Sequence, residues 1–226
     1  MPIEYVSTDD AIINPVHMEN KLNFKRSTVK KMTTLQRLLF PLLALFILAG
    51  CSNRPETTLT IDPPMAMPTQ DPGLMGATIS VNSADLRQDA ALAKVNRKGQ
   101  LLVLTPSRDL RFLMQEALEK QMRARGYMVG PDGSINVQIV INQLFADVQE
   151  GDLRYNITTK ADFSIISQAK NGASQTKNFR SSHSVSGAFT ATNKNIEKVV
   201  NEALADIFNE MAQDTSVSEF IKQNAR

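Results

Sequence analysis

Apolar residues recur along this chain with two clear periods. Ala77-Thr78-Ile79-Ser80-Val81 alternates apolar and polar and predicts a strand. After the polar stretch Asn82–Gln100, whose structure the pattern leaves ambiguous, Leu101–Leu104 predicts a second short one. Leu110, Leu113, Met114, Ala117, Leu118 and Met122 then follow helical spacing, with Thr105 or Ser107 as N-cap, Pro106 in the first turn and Gly126 as the stop. Ile135, Val137, Ile139 and Ile141 share one strand phase and Leu144, Ala146 and Val148 the other, which places a bulge near Asn142 or Gln143. After the turn Glu150-Gly151-Asp152, alternation resumes from Tyr155 to Ile165. Asn171-Gly172 is hairpin chemistry ahead of the last strand, Lys177 to Thr190. A second helix is predicted from about Asn195 to Ala212, where Ile196, Val199, Val200, Ala203, Leu204, Ile207, Phe208 and Met211 form one broad apolar face. Ser216-Val217-Ser218-Glu219 reads as a capping box opening a short terminal helix.

These elements predict an α+β fold: a single domain with a largely antiparallel sheet of about four strands, two amphipathic helices packed on one face, and the order β-α-β-β-β-α plus a short C-terminal helix. The other sheet face would carry Asn, Ser, Thr and Lys and would be the broadest surface left for a partner. Ahead of the domain, Ser52–Gly76 holds Pro55, Pro63, Pro64, Pro68 and Pro72. That composition favours extended backbone and predicts a tether, with Thr58–Ile61 as an edge strand the alternative. The organisation is therefore 1–50 leader and signal, 51–76 anchor and tether, and 77–226 domain.

The leader contains one segment that fits neither period. Leu38–Ala49 is a run of twelve uncharged, mostly apolar residues, preceded by Lys30, Lys31 and Arg37 and followed by Gly50 and the only cysteine, Cys51. At about 1.5 Å per residue it falls short of the roughly 30 Å hydrocarbon core, so it is no membrane span. Basic flank, apolar core and small residues in that order define an export signal, and Leu48-Ala49-Gly50-Cys51 is a lipobox. The small Ala49 and Gly50 let the backbone enter a signal peptidase, and the Cys51 thiol takes up diacylglycerol. Met1–Thr28 contains Glu4, Asp9, Asp10 and Glu19, which an n-region lacks, and a start at Val29 would leave a compact signal.

Removing the leader changes the charge balance. Residues 1–50 carry six of the 25 basic and four of the 23 acidic side chains, so 19 of each remain and the mature chain is formally neutral. No basic surplus is left for phosphates, which argues against nucleic acid as a partner. With Cys51 acylated no disulfide can form, and the fold must hold by packing. No cofactor is expected beyond the covalent lipid on Cys51; a single acyl chain binds membranes reversibly, whereas two or more anchor stably.

Catalytic chemistry finds little to work with. His183 is the only histidine of the mature chain, and of its serine-rich surroundings only Ser181 shares its strand face along with Val185. No nucleophile elbow is present. Asp85, Asp89, Asp109 and Asp162 are not brought together by anything in the sequence, and a lone His implies no metal site. Arg108 and Arg111 stand at a helix start, where cations oppose the dipole. They either pair with acids elsewhere on the domain or form a small anion-facing patch. Gly130-Pro131-Asp132-Gly133 lacks the Lys-Ser/Thr and the helix of a phosphate loop.

Asp71–Gly76, Ser107–Leu113, Ala124–Pro131, Arg154–Ile157 and the tail Phe220–Arg226 together resemble the YajG-type lipoproteins of Gram-negative bacteria. The similarity covers the mature chain and part of the signal. It implies an envelope lipoprotein with no catalytic motif to carry over. In such lipoproteins an Asp after the modified Cys retains the product at the inner membrane; Ser52 stands there instead, which implies the periplasmic face of the outer membrane. The expectation is a non-enzymatic binding or accessory module for an envelope protein or a cell-wall component. A carrier or sensor of a small lipid or wall-derived ligand is the alternative, and it would need a pocket lined by Met114, Met122, Phe208 and Met211.

Overall fold

The longest alternating run becomes the organising strand. In the computed structural model, which describes residues 56–225, eight strands form one sheet. They are β1 (Thr58–Leu59), β2 (Thr78–Asp85), β3 (Ala93–Arg97), β4 (Gln100–Pro106), β5 (Met128–Val129), β6 (Ile135–Glu150), β7 (Arg154–Ala169) and β8 (Ser174–Ala188). Three α-helices accompany them: α1 (Leu110–Arg125), α2 (Asn193–Gln213) and α3 (Ser216–Asn224).

β6, β7 and β8 pair antiparallel along their length, as the alternation predicts. On its other edge β6 takes two strands in succession. β2 lies parallel from Ile79 opposite Ile135 to Asp85 opposite Ile141, and β3 meets it parallel at Ala93 opposite Ala146. The bulge sits between Ile141 and Gln143, at the change from one neighbour to the next, and lets both apolar phases of β6 face the core. The β3–β4 hairpin extends the sheet, with β1 parallel on β4 and β5 parallel on β2.

The sheet is thus mixed and eight-stranded, not a four-stranded antiparallel one, and the predicted order omits strands. The two residues of β1 and of β5 and the five of β3 are too short to display a period. The parallel pairing of β2 with β6 follows from the long connection between them, which passes through α1.

All three helices pack on β-strands of this sheet. Ile135, Val137, Ile139, Ile141, Ile157, Phe163 and Phe179 are buried on the face they cover. α2 buries the eight residues of its predicted stripe, each large one contributing about 1.5–3 kcal/mol. Thr192 and Asn195 form its capping box. α1 begins later than predicted: Pro106 ends β4 opposite Leu59, and Asp109 caps the helix by accepting from the Arg111 amide at 2.9 Å. It stops at Gly126, whose φ of 110° suits glycine. At α3 the predicted Ser216 capping box is not made; Ser216 instead bonds Asp214 Oδ1.

Arg125 locks the helices together. Its Nη2 donates to the main-chain oxygens of Met211, Ala212 and Asp214 at 2.7, 2.9 and 2.7 Å, placing a cation on the C-terminal end of α2 where the helix dipole favours it. Burial pulls its pKa down, a tendency opposed by nearby Tyr127, Asp214 and Asp71.

The proline-rich segment corrects a further expectation. From Glu56 onward it packs on the domain: Leu59, Ile61 and Leu74 are buried, and β1 is an edge strand as the alternative foresaw. Its extended backbone is satisfied by side chains where the ladder is absent. The amides of Thr60 and Asp62 donate to Glu197 and Asn201, and Gln121 Nε2 bridges the oxygens of Ala66 and Phe208, each at 2.9 Å. Within the described residues, 56–76 are therefore packed chain rather than an extended tether.

Candidate functional site

Leu48, Ala49, Gly50, Cys51 and Ser52, the lipobox and sorting position, lie outside the described residues. What can be located is the place where the chain joins the domain. Asn193 Nδ2, in the first turn of α2, donates to the Glu56 oxygen at 2.9 Å, and Thr105 donates its amide to the Thr57 oxygen at 2.9 Å.

The sheet face opposite the helices carries a connected polar surface. Ser80 Oγ and Asn82 Nδ2 both donate to Asn136 Oδ1, at 3.2 and 2.7 Å. Asn142 Nδ2 donates to Ser164 Oγ at 2.7 Å, and Ser164 Oγ to Asn178 Oδ1 at 2.8 Å. Arg180 Nε donates to Asp162 Oδ2 at 2.7 Å, Ser186 Oγ to Asn156 Oδ1 at 3.0 Å, and the Thr158 and Ser184 hydroxyls share a bond of 2.9 Å. Each side chain restrains the next, so the remaining donors and acceptors are held in place before anything binds.

His183 is on the helix-facing side of β8, at the exposed edge where α2 passes. Its Nε2 lies 2.5 Å from Asp206 Oδ2, and Ser181 Oγ donates to that same oxygen at 3.0 Å. In a catalytic triad the imidazole stands between nucleophile and acid. Here the carboxylate stands between the hydroxyl and the imidazole, and the three side chains tie β8 to α2. Lys177 continues this tie to Asp214 at 3.0 Å. Sequence reading missed Asp206: its only signal is a place on the flank of the α2 stripe.

Arg108 and Arg111 are not brought together around a vacant anion site. Arg108 Nη2 meets Glu116 Oε2 at 2.7 Å and Arg111 Nη2 meets Asp109 Oδ2 at 2.6 Å. Hydrogen bonds from Lys120 and then Arg108 hold the Glu116 carboxyl at about 2. Of the four residues that would line a carrier pocket, Met114 and Phe208 are fully buried and Met122 and Met211 nearly so. The larger clefts are shallow ones at the surface. One of about 600 Å³ runs along Ala66–Pro72 beside Arg125, and one of about 520 Å³ lies between Leu86–Ala91 and the β6 bulge.

A family model described as an uncharacterized lipoprotein matches residues 63–222. The chain is 60% identical over 191 residues to the uncharacterized lipoprotein YajG of Escherichia coli strain K12, covering 84% of this chain and 99% of that one. Protein XCC0632 from Xanthomonas campestris shares the fold, with a TM-score of 0.52 at 10% identity over 74% of this chain and 99% of its own. The chain belongs to the YajG family of uncharacterised lipoproteins.

Proposed function

We propose that the protein is an outer-membrane lipoprotein, held on the periplasmic face through a lipid on Cys51, whose domain acts as a non-enzymatic binding or accessory module for an envelope protein or cell-wall component. Membership of a lipoprotein family supports the anchor. Ser52 rather than Asp after the cysteine supports the outer membrane. The observation that carries the binding role is the open face of β2, β6, β7 and β8, where Asn136, Asn142, Asn156 and Asn178 are fixed by their neighbours. Such a face offers hydrogen bonds to a polar partner with little side-chain ordering left to do. The burial of Met114, Met122, Phe208 and Met211 within the hydrophobic core weighs against the carrier reading.

The test is crosslinking in living cells with photoreactive residues at Lys160, Thr176 and Ser182, which are exposed on the open face, and at Lys120 on α1 as the control. One envelope component captured from the three sheet positions, absent at Lys120 and lost in Cys51→Ala, is the expected result. Equal capture at all four positions, or none, contradicts it. A small molecule retained in native mass spectrometry would put the carrier reading in its place.

A further inference from the structure

Glu56, the first described residue, and the two most exposed large apolar side chains among the described residues occur at one end of the sheet. β6 ends at Glu150, β7 starts at Arg154 and β8 ends at Ala188, so the β6–β7 turn and Phe189 share that end. β3 runs parallel to β6 with Ala93 opposite Ala146, which brings the Lys98-Gly99 hairpin tip there too. β1 runs parallel to β4, whose first residue follows that tip, and Glu56 and Thr57 therefore lie on its side of Thr58. Asn193, four residues beyond Phe189, holds Glu56. From Cys51 to Glu56 is five residues, a reach of at most about 18 Å. With Cys51 acylated, a reach that short would keep this end of the domain nearest the bilayer.

Phe189 is 73% exposed and Leu153 is 72% exposed, and the Phe189 amide donates to the Leu153 oxygen at 2.9 Å, so the two form one protrusion. Phe189 also has a φ of 64°, the left-handed region that a bulky residue avoids. Bonds around it hold the bend: the Ala191 amide donates to Glu150 Oε1 at 2.8 Å, and Arg97 Nη2 to the Ala191 oxygen at 2.9 Å. The domain thus strains its backbone to present an aromatic ring that it does not bury. Strain held by surrounding bonds is a pointer to function. Lys98, Arg154 and Lys194 flank the protrusion along with Glu56, Glu150 and Asp152. The three cations and three anions balance, so apolar insertion rather than net attraction supplies the drive, and the long cationic stems can reach headgroups.

Resting on the acylated Cys51 of the proposed function, we infer that this end is a membrane-docking surface: Phe189 and Leu153 enter the headgroup–acyl boundary of the leaflet that holds the anchor. β6, β7 and β8 then rise from the bilayer, and their open face extends about 50 Å from it at the usual strand rise. Docking sets the direction in which the polar face meets its partner.

Because Cys51 would carry lipid, a second cysteine can be labelled alone. The full chain carrying Asp152→Cys, at the docking end, or Lys170→Cys, on the β7–β8 turn at the other end, is labelled with a fluorophore. Each is then inserted into vesicles of phosphatidylethanolamine and phosphatidylglycerol containing a nitroxide-labelled lipid. Intact mass reports acylation. Quenching at 152 and not at 170, lost when Phe189→Ser and Leu153→Ser are added but retained with Met128→Ser at the far end, is the expected result. Equal quenching at 152 and 170 in an acylated chain, or quenching at 152 that survives Phe189→Ser with Leu153→Ser, overturns the docking surface and leaves the anchor standing. A purified chain without the acyl mass overturns the anchor, and the docking surface with it.

Discussion

Asn193 Nδ2 donates to the main-chain oxygen of Glu56 at 2.9 Å, so the first turn of α2 fixes the point at which the chain enters the domain.

Asn193→Ala should therefore loosen the start of β1 without unfolding the domain. It removes two bonds, the one to Glu56 and the one its Oδ1 accepts from Arg97 at 3.0 Å, so amide exchange at Thr57–Leu59 should accelerate while the global stability falls by about 1–3 kcal/mol, the usual worth of two such bonds. Exchange mass spectrometry beside a urea titration checks both; unchanged exchange in β1 would show that the bond does not hold the segment.

Gly133 is a close-approach position. A Cβ there would stand 2.1 Å from the Ser80 amide nitrogen and 2.2 Å from the Ile79 carbonyl carbon, and both are backbone. Gly133→Ala must push β2 away from the start of β6, and we expect a loss of about 3 kcal/mol or more. The urea midpoint reads it.

Thr159 faces the core, fully buried, with its hydroxyl unpartnered. Thr159→Val keeps the shape and removes the orphaned group, so stability should rise by about 1 kcal/mol. A fall of similar size would mean that the hydroxyl has a partner in solution.

Glu116 couples stability to acid. Its pKa is held at about 2 against an ordinary 4.5 by Lys120 and Arg108. A carboxylate depressed by folding stabilises above its unfolded pKa and loses that contribution as pH falls through the folded one. Glu116→Gln should thus behave much like the wild type's acid limit. The two chains should differ most above pH 4.5 and converge as pH approaches 2. A gap that stays constant across that window would rule the linkage out. The effect is small, because the pair is at the surface.

The meander of β6, β7 and β8, the bulge and both long helices were legible because each repeats its period over enough residues. The Ile141/Gln143 register shift was readable as a change of phase. What was hidden depends on partners far along the chain. β1 exists because Thr105 and Ser107 offer their amides to the Thr57 and Leu59 oxygens, and a proline-rich composition reads the same whether or not those bonds form. Arg125 stands in the last turn of its own helix, yet it caps α2, 86 residues on. Asp206 joins His183 and Ser181 only because α2 runs along the β8 edge. Neither contact has a local signature.

Anchoring through Cys51 is the central claim, and its most direct test is the mass of the N-terminal peptide from protein purified out of separated inner and outer membranes. The expected peptide begins at Cys51, carries the mass of a diacylglyceryl group with or without an N-acyl chain, and comes from the outer-membrane fraction, with neither modification nor membrane retention in Cys51→Ala. A peptide running intact through Leu48-Ala49-Gly50-Cys51-Ser52 with an unmodified thiol would contradict it.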